Sequence, residues 1–157
     1  MEHAIKIIVI SDTHKNISNA IDIINSKKPD YVLHLGDLTD DAEDLQMLFS
    51  NVKVVSVLGN CDWASMSNSP DERFFELGGV KIMMCHGHTY SVKQGTGAYL
   101  DAARKKGADI ALFGHTHVPV FDNSQGVAMI NPGSVATYGW INICEGTFTG
   151  GINRVEE

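Results

Sequence analysis

Five continuous apolar, largely β-branched runs recur through the first three quarters of the chain: Ile5 to Ile10, Tyr31 to Leu35, Val52 to Leu58, Val80 to Cys85, and Asp109 to Phe113. Runs this continuous predict strands covered on both faces, as in a sheet with helices packed against it. Between the first two, Asn16 to Lys27 reads as an amphipathic helix. Ile17, Ala20, Ile21 and Ile24 form its stripe and Asn16 its N-cap. A second helix follows from Leu45, Leu48 and Phe49, with Asp40 and Glu43 as a capping pair. A third is marked by Tyr99, Ala102 and Ala103 and stops at Lys105-Lys106-Gly107, where cations meet the helix end and glycine terminates it. After Val118 the pattern shortens to Val118 to Phe121, Val127 to Ile130, Trp140 to Cys144 and Phe148 to Ile152, which predicts an antiparallel meander. Trp63 to Glu72 reads as a loop.

A length of 157 residues predicts a single domain over positions 1–157. With 43% hydrophobic and 20% charged residues, the chain has apolar material for a core and is not disordered. A formal charge of −7 argues against partners held by bulk attraction to polyanions, so neither long nucleic acid nor an anionic membrane is expected. The start lacks a basic signal-peptide region, and no run reaches the roughly 18–20 apolar residues of a membrane span. Cys61, Cys85 and Cys144 are odd in number and unrelated in spacing, which fits reduced thiols and a cytoplasmic setting. Cys85 and Cys144 are read as packing residues.

What ends the five runs is more telling: Ser11-Asp12-Thr13-His14, Gly36-Asp37, Gly59-Asn60-Cys61-Asp62, His86-Gly87-His88 and Gly114-His115-Thr116-His117. In open α/β sheets ligands collect beyond the carboxyl ends of the strands, so these residues are expected to converge. Asp12, His14, Asp37, Asn60, His86, His115 and His117 make seven oxygen and nitrogen donors with no thiolate, a set suited to Mn²⁺, Fe or Zn²⁺. Seven donors exceed the needs of one ion. With Asp37 bridging, two ions can each take four protein ligands and leave room for a bridging hydroxide, the arrangement that clamps an in-line phosphoryl displacement. His34, inside an apolar run, reads as a hydrogen-bonded core residue, and His3 as a surface one.

The ordered motifs D-x-H, GD, GN-x-D, HGH and GHTH, spanning Asp12 to His117, resemble the calcineurin-like metallophosphoesterase superfamily. The small size, with Cys61 after Asn60, is similar to its compact prokaryotic phosphodiesterase branch. Asn131-Pro132-Gly133-Ser134 resembles the family's NPGS turn. The resemblance implies a four-layer α/β/β/α sandwich, two mixed β-sheets flanked by helices. It also implies two divalent metal ions per chain, Mn²⁺ foremost with Zn²⁺, Fe or Ni²⁺ as alternatives. By motif position Asp12, His14, Asp37 and His117 hold the first ion, and Asp37, Asn60, His86 and His115 the second. The implied reaction is hydrolysis of small phosphoesters, foremost phosphodiesters, by the bridging hydroxide. A homodimer or homotetramer is compatible with it.

Asp37 and Asn60 thereby become catalytic as well as ligating residues, with Asp62 orienting its neighbours through a hydrogen bond. Larger members carry a histidine where this chain has Cys61, which removes the obvious acid for a poor leaving group. His88 is the candidate substitute, as acid or phosphate donor. A competing reading is an interaction platform like the retromer scaffold subunit, but such members have usually lost ligands and this chain has all seven. Amide or lactam hydrolysis would need an HxHxDH cluster, which the sequence lacks.

Overall fold

The computed structural model describes residues 4–12, 17–36, 39–59, 70–134 and 136–155. The first half alternates strand and helix: β1 (Ile5–Ile10), α1 (Ser18–Lys27), β2 (Tyr31–His34), α2 (Thr39–Leu48) and β3 (Lys53–Ser56). A hairpin follows, β4 (Glu72–Leu77) and β5 (Val80–Cys85), then a 3-10 turn at His88–Tyr90, α3 (Gly97–Lys106) and β6 (Ile110–Leu112). The last four strands are β7 (Val120–Asp122), β8 (Ala128–Asn131), β9 (Thr137–Cys144) and β10 (Thr147–Arg154).

Two five-stranded mixed sheets result, ordered β10-β9-β1-β2-β3 and β4-β5-β6-β8-β7. In the first, β1, β2 and β3 are parallel and β9 joins β1 antiparallel; in the second, β5, β6 and β8 are parallel, edged by antiparallel β4 and β7. Period-two alternation sorts the side chains into layers. Ile7 and Val9 meet Ile82, Met84, Ile110 and Leu112 between the sheets. Ile8, Ile10 and Val32 pack outward with Ala20, Ile23, Ile24 and Leu45 of α1 and α2. Met83, Cys85, Ala111 and Phe113 pack outward with Tyr99 and Ala103 of α3. The expected α/β/β/α sandwich is therefore the observed one, and each of the five apolar runs carries a strand.

Several local expectations are corrected. β4 lies in a stretch that had no predicted strand, beginning at Glu72 where a loop was expected. The late strands are not one meander: β7 and β8 complete the second sheet, whereas β9 and β10 form a hairpin on the first. In α1 the buried residues are Ala20, Ile23 and Ile24, and Ile17 is the N-cap without a side-chain cap bond; Asn16, the expected cap, lies outside the described residues. Asp40 falls inside α2 rather than before it, and Leu48 is 59% exposed, so only Leu45 of its stripe is fully buried. Cys144 is exposed, not a packing residue, because its position on β9 faces away from the core; Cys85 is buried as expected. The cap of α3 is as read, with the Gly107 N–H bonding the Ala103 and Arg104 carbonyls.

Candidate metal centre

The site is built where β1, β5 and β6 end. Beyond β1 the chain turns at Asp12, whose φ of +56° is a left-handed conformation rare outside glycine. The Asp12 N–H donates to the Gly36 carbonyl at 3.0 Å, tying the end of β1 to the end of β2. Gly36 itself has φ +106°, and a Cβ there would lie 2.7 Å from the Gly59 nitrogen. The ends of β2 and β3 thus approach more closely than any side chain would allow. Gly114, after β6, is equally constrained, since a Cβ would fall 2.1 Å from Ser11 Oγ.

Asp12 is completely buried, and its two oxygens have different environments. Oδ2 accepts from Ser11 Oγ at 2.6 Å and from the His115 N–H at 3.2 Å, which locks the carboxylate plane. Oδ1 faces two imidazoles, His86 Nε2 at 3.0 Å and His117 Nε2 at 3.1 Å. Burial alone would raise the Asp12 pKa. The hydrogen bonds from His86 and Ser11, with the charges of His86 and His117, more than reverse that and hold it at about 2.

His86 is fully buried, with its Nδ1 3.3 Å from His88 Nδ1, so one of these nitrogens carries the shared proton and the other accepts it. The His86 and His115 ring centroids are 4.9 Å apart, and those of His88 and His115 6.2 Å. Burial, then the neighbouring charges of His86 and Lys93, lower the His115 pKa, with Asp12 acting in the opposite sense.

His115 and His117 both have positive φ, +70° and +63°, a conformation costing about 1–3 kcal/mol each unless the surroundings impose it. Asn131, buried at the end of β8, supplies the restraint. Its Nδ2 donates to the Gly114 carbonyl at 3.2 Å and to Thr116 Oγ1 at 2.9 Å, while its Oδ1 accepts from the Gly133 N–H at 2.9 Å. From the same turn, Ser134 Oγ donates to the Asp12 carbonyl at 3.2 Å. The 3-10 turn bearing His88 is pinned from the other side: the Tyr90 hydroxyl donates to Glu72 Oε1, and Lys106 Nζ reaches Glu72 Oε2 at 2.8 Å.

Of the residues singled out in the sequence, Asp12, His86, His88, His115 and His117 are therefore brought together. His14, Asp37, Asn60 and Asp62 lie outside the described residues, as does Cys61. Among the described residues no three carboxylate, imidazole or thiolate side chains already surround one point as metal ligands would. The chemistry of the donor set nevertheless fits a divalent ion, because a fully buried carboxylate and imidazole nitrogens converge with no thiolate among them. His34 is the core residue expected, its Nδ1 accepting from the Gly36 N–H at 3.1 Å. Ser11, Glu72 and Tyr90 were not singled out from the sequence, where nothing local marks them. The NPGS turn was visible, and its role emerges from Asn131 and Ser134.

A model of the calcineurin-like phosphoesterase superfamily domain matches residues 5–143. The chain belongs to that superfamily. As a calcineurin-like phosphoesterase it is a metal-dependent hydrolase of phosphoester bonds. Among its relatives, phosphodiesterase MJ0936 of Methanocaldococcus jannaschii is 32% identical over 149 residues, covering 85% of this chain and 86% of that protein. The probable metallophosphoesterase YsnB of Bacillus subtilis is 32% identical, covering 82% and 74%. A crystal structure of a predicted phosphoesterase from Streptococcus pneumoniae superposes with a TM-score of 0.80 at 25% identity, over 100% of this chain and 93% of that one. Vacuolar protein sorting 29 from Cryptosporidium parvum shares the fold, with a TM-score of 0.76 at 20% identity over 97% and 98% of the chains.

Proposed function

We propose that this calcineurin-like phosphoesterase is a single domain over residues 1–157 that hydrolyses small phosphodiesters with two divalent ions, Mn²⁺ foremost, in the cytoplasm. Asp12, His14, Asp37 and His117 are assigned to one ion and Asp37, Asn60, His86 and His115 to the other, with Asp62 orienting the Asn60 segment. When bound, such a pair supplies a nucleophile from water at neutral pH and neutralises charge developing on the phosphoryl oxygens.

The observation that carries the reading is the Asp12 carboxylate, buried, ionised and locked through Oδ2 so that Oδ1 meets two imidazoles. Support for Asp37 and Asn60 comes from the glycines that precede them, since a Cβ on Gly36 would lie 2.7 Å from the Gly59 nitrogen. Ser11, Asn131 and Ser134 act as positioning residues that hold the donors before any ligand arrives, which lowers the ordering cost of binding. As a ligand through Nε2, His86 keeps its proton on Nδ1 and donates it to His88 Nδ1. His88 then carries its own proton on Nε2, where it is a donor for a phosphoryl oxygen. A homodimer or homotetramer is compatible with this assignment.

Elemental analysis of Mn²⁺-loaded protein, together with hydrolysis of bis(p-nitrophenyl) phosphate, tests the proposal. Two ions per chain and metal-dependent release of p-nitrophenol are expected, with Asp37→Asn lowering occupancy at both positions. One ion at saturation would remove the two-ion assignment, and metal-loaded protein inert to diesters would remove the substrate class.

A further inference from the structure

α1 and α2 pack on the outer faces of β1 and β2, and the same cluster takes in Tyr138 and, partly, Trp140 of β9. A cleft of about 320 Å³ opens there, bounded by the end of α1 and the outer faces of β1 and β9. Its volume lies at the lower end of small-molecule sites, roughly 300–1,000 Å³. Its wall follows β1 back from Ile8 to Lys6, away from the strand end that leads to Asp12, and includes none of the metal-centre residues.

Strand register determines what lines this cleft. Ile8 stands opposite Trp140 and Lys6 opposite Asn142, and Ile8 shares its cluster with α1, so Lys6, Trp140 and Asn142 occupy the same outer face. Trp140 is half-buried, and its indole lies over Gly151, where a Cβ would fall 3.0 Å from the ring. The glycine thus lets the ring lie flat on the sheet. Lys6 and Lys27 are both exposed at the cleft, and Asn142 is exposed beside them. Asn153 Nδ2 donates to the Tyr138 hydroxyl at 3.3 Å within the wall. No carboxylate is among the residues lining the cleft, although the chain carries a net charge of −7. Asp30, the nearest in sequence, accepts from the Lys6 main-chain N–H at 2.9 Å.

We propose that this cleft is a second binding site, for a small anion bearing a planar aromatic ring, of the nucleoside monophosphate class. The indole offers a stacking surface, the two ammonium groups attract a phosphate, and the carboxamides and phenol offer hydrogen bonds to a heterocycle or sugar. The assignment is independent of the reaction proposed above, because it uses none of the metal-centre residues.

The test follows the two tryptophan indole signals in ¹H–¹⁵N spectra while adenosine 5′-monophosphate is added to EDTA-treated full-length protein, so that a bound metal cannot hold the phosphate. Trp140→Phe assigns the signals. The expected result is a saturable shift of the Trp140 signal, with adenosine or inorganic phosphate alone binding more weakly. Calorimetric titration reads affinity in the variants that lack the Trp140 indole, and there Trp140→Ala should weaken binding at least about tenfold, as loss of a stacking partner does. Lys6→Gln with Lys27→Gln should weaken it about fivefold and flatten its salt dependence. If Trp140→Ala fails to fold, Trp140→Phe must still weaken binding detectably. No Trp140 shift with millimolar nucleotide would overturn the proposal, as would affinity unchanged in both tryptophan variants. A Trp140 shift that follows protein dilution and ignores nucleotide would assign the face to a second copy and overturn it equally.

Discussion

Arg73 on β4 donates its Nε–H to the Ser56 carbonyl on β3 at 2.7 Å, joining the edge strands of the two sheets. With the Leu58 N–H to Pro70 carbonyl bond at 2.9 Å, it closes the neck of the segment that carries Asn60 and Asp62. Arg73→Ala is therefore expected to lower Mn²⁺ affinity about tenfold, in the manner of residues that orient ligands without touching metal. The global cost should be only about 1 kcal/mol, the worth of one hydrogen bond. Calorimetric metal titration beside a urea melt checks both. Unchanged affinity would detach Arg73 from the site.

Acid stability follows from Asp12. Its folded pKa of about 2 lies below the roughly 3.9 of an unfolded aspartate, so its contribution is whole above about pH 4 and disappears as pH falls through the folded value. That contribution is on the order of 2 kcal/mol. In chelated protein, Asp12→Asn should lower the urea midpoint at pH 6 and differ little from the parent near pH 2. A gap of constant size across that range would contradict the account.

The alkaline limb has the opposite sign. Burial raises the Cys85 thiol to about 12 against the opposing hydrogen bond of Tyr99, and burial followed by the Cys85 charge raises Tyr99 well above its ordinary value. Both groups favour the protonated form in the fold. Stability is whole below the unfolded thiol value of about 8.5 and is lost above it at about 1.4 kcal/mol per pH unit for each group that has begun to ionise in the unfolded chain. Cys85→Ala should remove the part of that slope that starts near pH 9. Urea melts from pH 8 to pH 11 measure it, and an unaltered slope would assign the loss elsewhere.

Leaving-group dependence bears on Cys61. With no histidine at that position, diester hydrolysis should slow strongly as leaving-group pKa rises, and Cys61→His should flatten the trend. The Nε2 donor assigned to His88 predicts that His88→Ala lowers rates for all leaving groups by about 10²–10³, the loss typical of one oxyanion donor. If instead His88→Ala steepened the dependence, His88 would be the acid itself. Initial rates across a series of aryl and alkyl diesters decide between them.

The five strands were legible because continuous apolar runs signal two-sided burial, and the polar residues that follow them point beyond the sheet, where Asp12, His86, His88, His115 and His117 meet. β4 was not legible. As an edge strand it mixes Glu72, Arg73 and Glu76 with Phe74, Phe75 and Leu77 and is half-buried for most of its length, so it lacks the continuous run. The division of β7–β8 from β9–β10 was hidden for another reason: β8 pairs with nearby β6 whereas β9 pairs with β1 at the other end of the sheet's sequence span, a choice of partner that the strands' own composition does not encode. Locally, Asn131 and Ser134 read as a turn. Their hydrogen bonds reach Thr116 and Asp12, contacts that no local pattern encodes.

The bond from Ser134 to the Asp12 carbonyl spans 122 positions, and β1 has β9 as one of its two sheet neighbours. During synthesis Asp12 leaves the ribosome well before the segment that steadies it. Closing so long a loop is entropically costly and places this step late in folding. An ion captured before that segment has emerged would meet donors not yet held in place, so correct loading waits for it.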